Sequence, residues 1–188
     1  MNKMRMLKLQ MQISLDGFVT ANKGETNFNW DDEVRNYSIE NTERVDCIAL
    51  GRATAKGFIP HWASVAANPR DPDFAFGKRL TDIPKMVFSN TLAELTLPNA
   101  KLVKGGAVRE INQLKKQVGD DILVYGGSGF VSSLVQHRLI DEYHLLVNPV
   151  AIGSGMTIFK NLESKLTLML VKTKQFSCGT VLLCYRPR

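Results

Sequence analysis

Three short turns hold the residues of this sequence that are best suited to binding an anion. They are Gly51-Arg52-Ala53-Thr54, Ser89-Asn90-Thr91 and Gly126-Gly127-Ser128-Gly129, and each follows an apolar run. Arginine binds a phosphate through its planar fork, hydroxyl groups donate to it, and glycines let it approach the backbone. The three turns together favour a phosphate-bearing ligand such as a dinucleotide. The alternative is that Thr54 and Thr91 cap helices and that Arg52 is solvated.

The glycine turn lies between a predicted buried strand and a predicted amphipathic helix. The apolar run 122–125 precedes it, and apolar residues recur at three- and four-residue spacings from Phe130 to Leu139. A helix that begins at the carboxyl end of a strand presents free N–H groups to an anion. The G-G-x-G spacing lacks the third glycine of a G-x-G-x-x-G fingerprint and the Lys-Ser/Thr of a phosphate loop. A turn without a ligand therefore stays open from this stretch alone.

The elements that must position these turns alternate between strand and helix along the chain. Residues 4–15 alternate apolar and polar side chains, which predicts a strand, and residues 55–84 contain four prolines, which predicts a loop around one short helix at 72–80. We predict an α/β fold in a single domain spanning residues 1–188: a three-layer sandwich whose mostly parallel central sheet is flanked by helices and closed by a C-terminal antiparallel hairpin. The carboxyl ends of parallel strands share one sheet edge, so the three turns should meet there. The other predicted strands are 46–50, 85–89, 102–103, 122–125, 143–147, 166–176 and 180–186, and the other predicted helices are 31–44, 108–118 and one that follows Gly129.

Composition narrows the functional classes. The chain has 188 residues, of which 44% are hydrophobic, enough for one substantial core, and no apolar run approaches the ~20 residues of a membrane span. Three cysteines without a CxxC spacing predict reduced thiols in a cytoplasmic protein and no metal site. The net charge of +6 is scattered along the chain, which favours a small anionic ligand over nucleic acid.

Five motifs carry a resemblance to a known family. In order and spacing they resemble the dihydrofolate-reductase-like superfamily, and within it the branch that contains the reductase domain of the bifunctional riboflavin-biosynthesis protein and its small stand-alone bacterial relatives. The resemblance covers nearly the whole chain. The motifs are SLDGF (14–18), LGRAT (50–54), VFSNTL (87–92), VYGGSGF (124–130) and PVAIGSG (149–155).

The resemblance implies an NADPH site. The arginine and threonine of the second motif would hold phosphates, the third motif would lie beside the adenosine 2′-phosphate, the glycine motif would take the pyrophosphate, and the first motif would flank the nicotinamide. Position 90 is Asn and not a cation, so NADH stays possible. The implied cofactor-binding residues are Leu15, Gly17, Phe18, Gly51, Arg52, Thr54, Ser89, Asn90, Thr91, Gly126, Gly127, Ser128, Gly129 and Phe130.

The substrate side matches the family less closely. Dihydrofolate reductases have an acid five places after a Pro-Trp pair, and here Arg35 stands five places after Trp30. Riboflavin-pathway reductases have a lysine where this chain has Gln10. Asp16 matches their aspartate, and it is a candidate proton source or else a residue that stabilises its own turn. The other candidates are Glu25 as a proton source and Thr26, Trp30 and Asp32 as substrate residues.

These features predict an enzyme that transfers a hydride from NADPH to a C=N or C=O carbon of a small pyrimidine- or pterin-like heterocycle. The resemblance points to an activity similar to the 5-amino-6-(5-phosphoribosylamino)uracil reductase of riboflavin biosynthesis. The alternatives are a dihydrofolate-reductase-type activity and a catalytically silent NADP-binding protein. A homodimer is expected from the same resemblance, and the apolar final strands would suit an interface at the sheet edge.

Overall fold

The computed structural model describes residues 4–21 and 27–188. In these ranges it has ten strands and five helices, which are interspersed up to α5 and are followed by strands alone. The strands are β1 (Leu7–Ser14), β2 (Thr20–Ala21), β3 (Val45–Gly51), β4 (Lys85–Phe88), β5 (Ala100–Val103), β6 (Asp121–Gly126), β7 (Glu142–Asn148), β8 (Gly155–Met156), β9 (Leu168–Gln175) and β10 (Val181–Pro187). The helices are α1 (Asp32–Thr42), α2 (Arg52–Ala66), α3 (Phe74–Asp82), α4 (Ala107–Lys115) and α5 (Ser128–Gln136).

Eight strands form one sheet in the order β5-β4-β3-β6-β1-β7-β10-β9. The first six are parallel, and β10 and β9 run antiparallel at one end. The alternating pattern of β1 buries Leu7 and Leu9 completely, as its two-residue period predicts. The mostly parallel sheet with an antiparallel hairpin at its C-terminal end confirms the predicted architecture.

Helices cover both faces of the sheet. Ile111 of α4 and Leu134 of α5 belong to the apolar core on one face, together with Leu9. On the other face, α2 and α3 pack over β3 and β6, and α1 packs over β7 and β10. These two cores make the three layers that the sequence predicts. Among the described residues, no helix is long and apolar enough to cross a membrane.

The prediction of a loop before residue 72 was wrong. Helix α2 runs for 15 residues through Pro60, and α3 follows it. Proline removes one backbone N–H from the helix and leaves the carbonyl four residues earlier without its partner. That residue is the exposed Lys56, so water can reach the carbonyl. Phe58 and Trp62 lie on the apolar face of α2 and pack against the core, and this packing outweighs the cost of the proline.

A second, two-stranded sheet lies beside the main one. Thr20 of β2 pairs with Met156 of β8, and Ala21 pairs with Gly155. Neither strand was predicted, because two residues are too short to show a period. The pairing joins the segment after β1 to the segment after β7.

Candidate functional site

A cleft of about 620 Å³ lies at the sheet edge where the parallel strands end. The turn after β3 and the turn after β6 supply most of its polar lining, and Ser89 after β4 completes it. The three predicted turns therefore meet at one edge, as the parallel topology requires. The turn residues in the lining are Gly51, Arg52, Ala53, Thr54, Ser89, Gly126, Gly127, Ser128, Gly129 and Phe130.

Two helix N-termini open into this cleft. Helix α2 starts at Arg52 after Gly51, and α5 starts at Ser128 after Gly127, and neither helix receives a hydrogen bond from a capping side chain. The first N–H groups of a helix have no acceptor within the helix and carry the positive end of its dipole. Two such ends at one cleft create a site for an anion with two charged groups, such as a pyrophosphate.

Glycines bring the two helix starts into close contact. A Cβ atom on Gly127 would lie 2.8 Å from Thr54 Oγ1, and one on Gly51 would lie 2.9 Å from the Cβ of Phe130. The ring of Phe130 stacks on Phe88 of β4, with ring centroids 4.8 Å apart. Side chains larger than hydrogen at these two glycines would separate the elements that form the cleft.

Arg52 is the cation in the cleft lining that the described residues form. Its side chain is exposed, and among residues 4–21 and 27–188 no carboxylate or carbonyl accepts a hydrogen bond from its guanidinium. An unpaired guanidinium beside two helix N-termini adds to the positive field that an anionic ligand would meet.

The third turn contributes fewer residues to the cleft lining than the sequence predicts. Ser89 Oγ accepts hydrogen bonds from the N–H groups of Thr91 (3.2 Å) and Leu92 (3.1 Å), so its oxygen holds the turn. Asn90 Oδ1 accepts from the N–H of Gly105 at 3.0 Å. Ser89 lines the cleft, whereas Asn90 and Thr91 are exposed beside it. A role for Asn90 and Thr91 at a 2′-phosphate stays a prediction.

The turn after β1 stands next to the cleft and not in its wall. Leu15 is 70% exposed, and Gly17 adopts a positive φ of 86° that favours glycine. Leu15, Gly17 and Phe18 are absent from the lining, where Val19, Thr20 and Met156 stand instead. The small β2–β8 sheet places these three residues in the wall, and a contact of Leu15, Gly17 and Phe18 with a nicotinamide stays a prediction.

Asp16 is engaged in holding two loops together. Its carboxylate accepts from Ser14 Oγ at 2.6 Å and from the N–H groups of Ile152 (3.1 Å) and Gly153 (2.7 Å). The hydrogen bond from Ser14 is the main reason why the pKa of Asp16 lies below its usual value, and the two backbone donors act in the same direction. An ionised carboxylate with three donors favours the role of a turn residue over that of a proton source.

An aromatic slot of about 250 Å³ adjoins the cleft. The two cavities share Met11, Val19 and Tyr125, so they form one continuous site. Burial raises the pKa of the Tyr125 phenol, whose hydroxyl therefore stays neutral. The aromatic residues of the slot are Phe28, Trp30, Phe58, Trp62, Phe76 and Tyr125.

Of the predicted substrate residues, Trp30 lies in the slot wall. Its ring nitrogen donates to the Asp73 carboxylate at 3.1 Å, and Asp73 is also paired with Arg35. Asp32 forms an ion pair with Arg35 at 2.6 Å and is not part of the slot lining. Glu25 and Thr26 lie outside the described residues.

Several site residues were missed because their sequence context resembles that of a core. Met11 and Tyr125 sit in apolar strand runs, and Phe58, Trp62 and Phe76 belong to the segment predicted as mostly loop. The four-residue spacing of Phe58 and Trp62 is the signal that could have shown an inward helix face. Gln12, at the polar face of β1, gave no signal of its own.

Known proteins are similar to this chain in sequence or in architecture. The uncharacterized protein YyaP of Bacillus subtilis is 30% identical over 185 residues, which cover 97% of this chain and 95% of that protein. A crystal structure from Shewanella sp. PV-4, named for riboflavin biosynthesis, superposes with a TM-score of 0.75 at 23% identity and covers 97% of this chain and 99% of its own.

Two further crystal structures share the fold at lower identity. The diaminohydroxyphosphoribosylaminopyrimidine deaminase/5-amino-6-(5-phosphoribosylamino)uracil reductase of Thermotoga maritima has a TM-score of 0.70 and 19% identity, and covers 99% of this chain but 57% of that longer chain. Dihydrofolate reductase from Enterococcus faecalis, solved with NADP(H), has a TM-score of 0.62 and 14% identity over 97% of this chain and 96% of its own. The fold is therefore that of dihydrofolate reductase, as predicted.

Sequence similarity identifies the family of this chain. The model of the RibD C-terminal domain matches residues 5–182, which is nearly the entire chain. This match and the identity to YyaP agree with the order of the five motifs. The chain belongs to the RibD C-terminal domain family.

Proposed function

We propose that this protein is an NADPH-dependent reductase that transfers a hydride to a C=N or C=O carbon of a pyrimidine- or pterin-like ring. One observation carries the proposal: a cleft with two uncapped helix N-termini opens directly into a slot with aromatic walls. The first cavity suits the phosphates of a dinucleotide, and the second suits a flat ring at its reactive end.

The residues of the cleft fit a dinucleotide. The N–H groups at the starts of α2 and α5 would bind the pyrophosphate, and the glycine surface at 126 and 127 would let it approach the backbone. Arg52 would bind a further phosphate group and so favour NADPH over NADH. This assignment agrees with the resemblance to the family and with the NADP(H) bound by the E. faecalis reductase.

The residues shared by the two cavities would set the reaction geometry. Met11, Val19 and Tyr125 lie where the nicotinamide end of the cofactor would meet the substrate ring. Bound NADPH would supply the hydride, and the chain would hold the two rings in register and exclude water from them. The cation Arg35, paired with Asp32 and Asp73, occupies the sequence position of the dihydrofolate reductase acid, which makes folate reduction the weaker alternative.

A second candidate is a protein that binds NADPH without turnover. The observation in its favour concerns proton supply: the lining of the slot, as far as residues 4–21 and 27–188 form it, has no carboxylate, histidine, lysine or cysteine. Asp16 lies outside the lining and is held by three donors. In the reductase, the proton would then come from water or from a residue outside the described ranges, such as Glu25.

Thermal unfolding with NADPH, followed by NADPH oxidation over a substrate panel, separates these candidates. A ligand that binds only the native state stabilises it by about 2.7 kcal/mol at one hundred times its Kd, so NADPH should raise the melting temperature more than NADH does. Oxidation of NADPH with any pyrimidine, pterin or cyclic carbonyl compound supports the reductase. A melting temperature that neither nucleotide changes would refute both candidates, and binding without oxidation across the panel would favour the silent protein.

A further inference from the structure

The slot has the chemistry of a binding site for an uncharged flat ring. Six aromatic side chains surround it, and aromatic rings bind flat ligands through stacked or edge-to-face contacts. All the described residues in its wall are formally neutral. A charged group entering this wall would lose hydration without gaining a charged partner there, so the wall disfavours ions.

The amide groups of the slot come from two glutamines on β1. Its other polar side-chain groups are the indole N–H groups of Trp30 and Trp62 and the hydroxyl of Tyr125, which is buried and has no hydrogen-bond partner among the described residues. Gln10 is buried, and both ends of its amide are occupied: its nitrogen donates to Ser38 Oγ at 2.9 Å, and its oxygen accepts from Asn41 Nδ2 at 2.7 Å. Ser38 in turn donates to the carbonyl of Val34 at 2.8 Å. Gln10 is therefore a satisfied part of the wall and has little capacity for a ligand.

The amide orientation of Gln12 is determined by its neighbours. The backbone N–H of Asn29 donates to Asn148 Oδ1 at 2.9 Å. A backbone N–H can only donate, so this bond identifies the Asn148 oxygen and leaves Asn148 Nδ2 as the donor on the other side. Asn148 Nδ2 donates a hydrogen bond to Gln12 Oε1 at 3.0 Å, and this bond fixes which end of the Gln12 amide faces Asn148.

The remaining end of the Gln12 amide is its NH₂ group. Within residues 4–21 and 27–188, no group accepts a hydrogen bond from Gln12 Nε2. Gln12 is only half-buried, and it lines the slot together with the aromatic residues. An oriented amide donor at the rim of an apolar cavity is available to an acceptor such as a ring carbonyl oxygen, which would replace water at the NH₂ group when a ligand fills the slot.

We propose that Gln12 Nε2 is the donor that selects the substrate of this site: an uncharged planar ring with a carbonyl oxygen, stacked in the slot and hydrogen-bonded to Gln12. The inference rests on the proposed function, because it assigns the slot to the hydride acceptor. Gln12 acts as a specificity residue, and the aromatic walls supply most of the binding energy. A site built to donate to one group discriminates strongly against the analogue that lacks it, because its donor is then left unpaired.

The two tryptophans of the chain give a direct assay. The sequence has two, Trp30 and Trp62, and both line the slot, so tryptophan emission reports a ring that binds there. The probes are quinazolin-4(3H)-one and quinazoline, which have the same fused rings with and without the carbonyl. We expect the wild-type protein to bind quinazolin-4(3H)-one at least about tenfold tighter than quinazoline.

Gln12→Glu is the matched variant, measured at about pH 8 so that the new carboxylate is ionised. It keeps the oxygen that accepts from Asn148 and replaces the NH₂ donor by a second acceptor. We expect it to lose at least about tenfold in affinity for quinazolin-4(3H)-one, with the NADPH-induced rise in melting temperature unchanged. Gln12→Leu removes the donor without adding charge, and it should show the same loss if Gln12→Glu does not fold.

The outcomes distinguish this inference from the proposed function. Equal affinity of the wild-type protein for the two probes, or an unchanged preference in both variants, overturns the role of Gln12 even when NADPH binds. Failure of the wild-type protein to bind NADPH instead refutes the proposed function, whatever the probes do.

Discussion

Thr54 lies directly against the backbone of Gly127, where the two halves of the cleft meet. Thr54 stands in the first turn of α2, and a Cβ on Gly127 would lie only 2.8 Å from its Oγ1. Because Gly127 has no side chain, the N-terminus of α2 can lie this close to that of α5. The positive ends of both helices can therefore act on one ligand.

Replacing Gly127 by alanine should widen the cleft. The backbone at Gly127 has φ −83° and ψ 178°, which alanine adopts freely, so any effect comes from the new methyl group. Overpacking of this kind costs about 1–3 kcal/mol. We expect a lower melting temperature and weaker NADPH binding in Gly127→Ala, measured by thermal unfolding and by calorimetric titration.

Gly57→Ala is the matched control for that variant. Gly57 lies in α2, where a Cβ would meet nothing within 4 Å. Alanine in place of a helix-interior glycine should stabilise the protein by about 0.5–1 kcal/mol and leave NADPH binding unchanged. A Gly127→Ala protein with the stability and NADPH affinity of wild type would disprove the role given to the Thr54–Gly127 contact.

The sequence could predict the cleft because its parts are local. A strand end, a glycine and a helix start are adjacent in the chain, and the parallel topology brings such turns to one edge. Two of the three predicted turns, at 51–54 and 126–129, form the cleft wall with all their residues, and Ser89 of the third turn joins them.

The slot could not be predicted in the same way. Its walls come from β1, β6, β7, three helical or loop segments and the residues around Trp30, so only tertiary packing defines it. Helix α2 was not predicted because a proline inside a helix is normally unfavourable, and α2 contains Pro60. The positions of Phe58 and Trp62 on that helix were therefore missed as well. The orientation of the Gln12 amide depends on its hydrogen bond with Asn148, which lies 136 residues away in the sequence.

A buried network around His144 should make stability depend on pH. His144 Nε2 lies 2.6 Å from Glu142 Oε1, and its Nδ1 faces the Tyr37 hydroxyl and the Cys184 thiol. Burial opposes the imidazolium, but the hydrogen bonds to Cys184 and Glu142 outweigh it and raise the pKa of His144 above 6.5. The same network lowers the pKa of Glu142 to about 2, chiefly through its hydrogen bond with His144.

The sign of the effect follows from linkage. A folded-state pKa above the unfolded value gives stability that is fully present below the unfolded pKa and is lost as the pH rises through the folded-state pKa. The stability advantage of wild type over His144→Gln in urea unfolding should therefore shrink as the pH rises above about 6.5, the ordinary pKa of histidine. An advantage that stays constant or grows over that range would contradict this assignment.

We propose that the protein is a homodimer whose interface includes β9. This strand pairs with β10 on one side only, and its residues Met169, Leu170 and Val171 are each about half exposed. An apolar edge strand is a template for a second chain. Leu170→Lys should shift the mass measured by light scattering from dimer to monomer.

Val118→Lys provides the control for the dimer experiment. Val118 is 86% exposed and lies after α4, away from β9, so its replacement adds the same charge elsewhere. It should leave the mass of the particle unchanged. A wild-type protein that is monomeric at every concentration tested would disprove the proposed dimer.

The affinity of the Arg52→Ala variant for NADPH is the most direct test of the proposed cofactor site. Arg52 is exposed, unpaired among the described residues and next to both helix N-termini. Lys56→Ala removes one charge from the same helix at an exposed position outside the cleft, and serves as the control. In calorimetric titrations we predict that Arg52→Ala binds NADPH at least about tenfold more weakly than wild type and Lys56→Ala do, with NADH affinity nearly unchanged. An Arg52→Ala variant that binds NADPH as tightly as wild type would contradict the account.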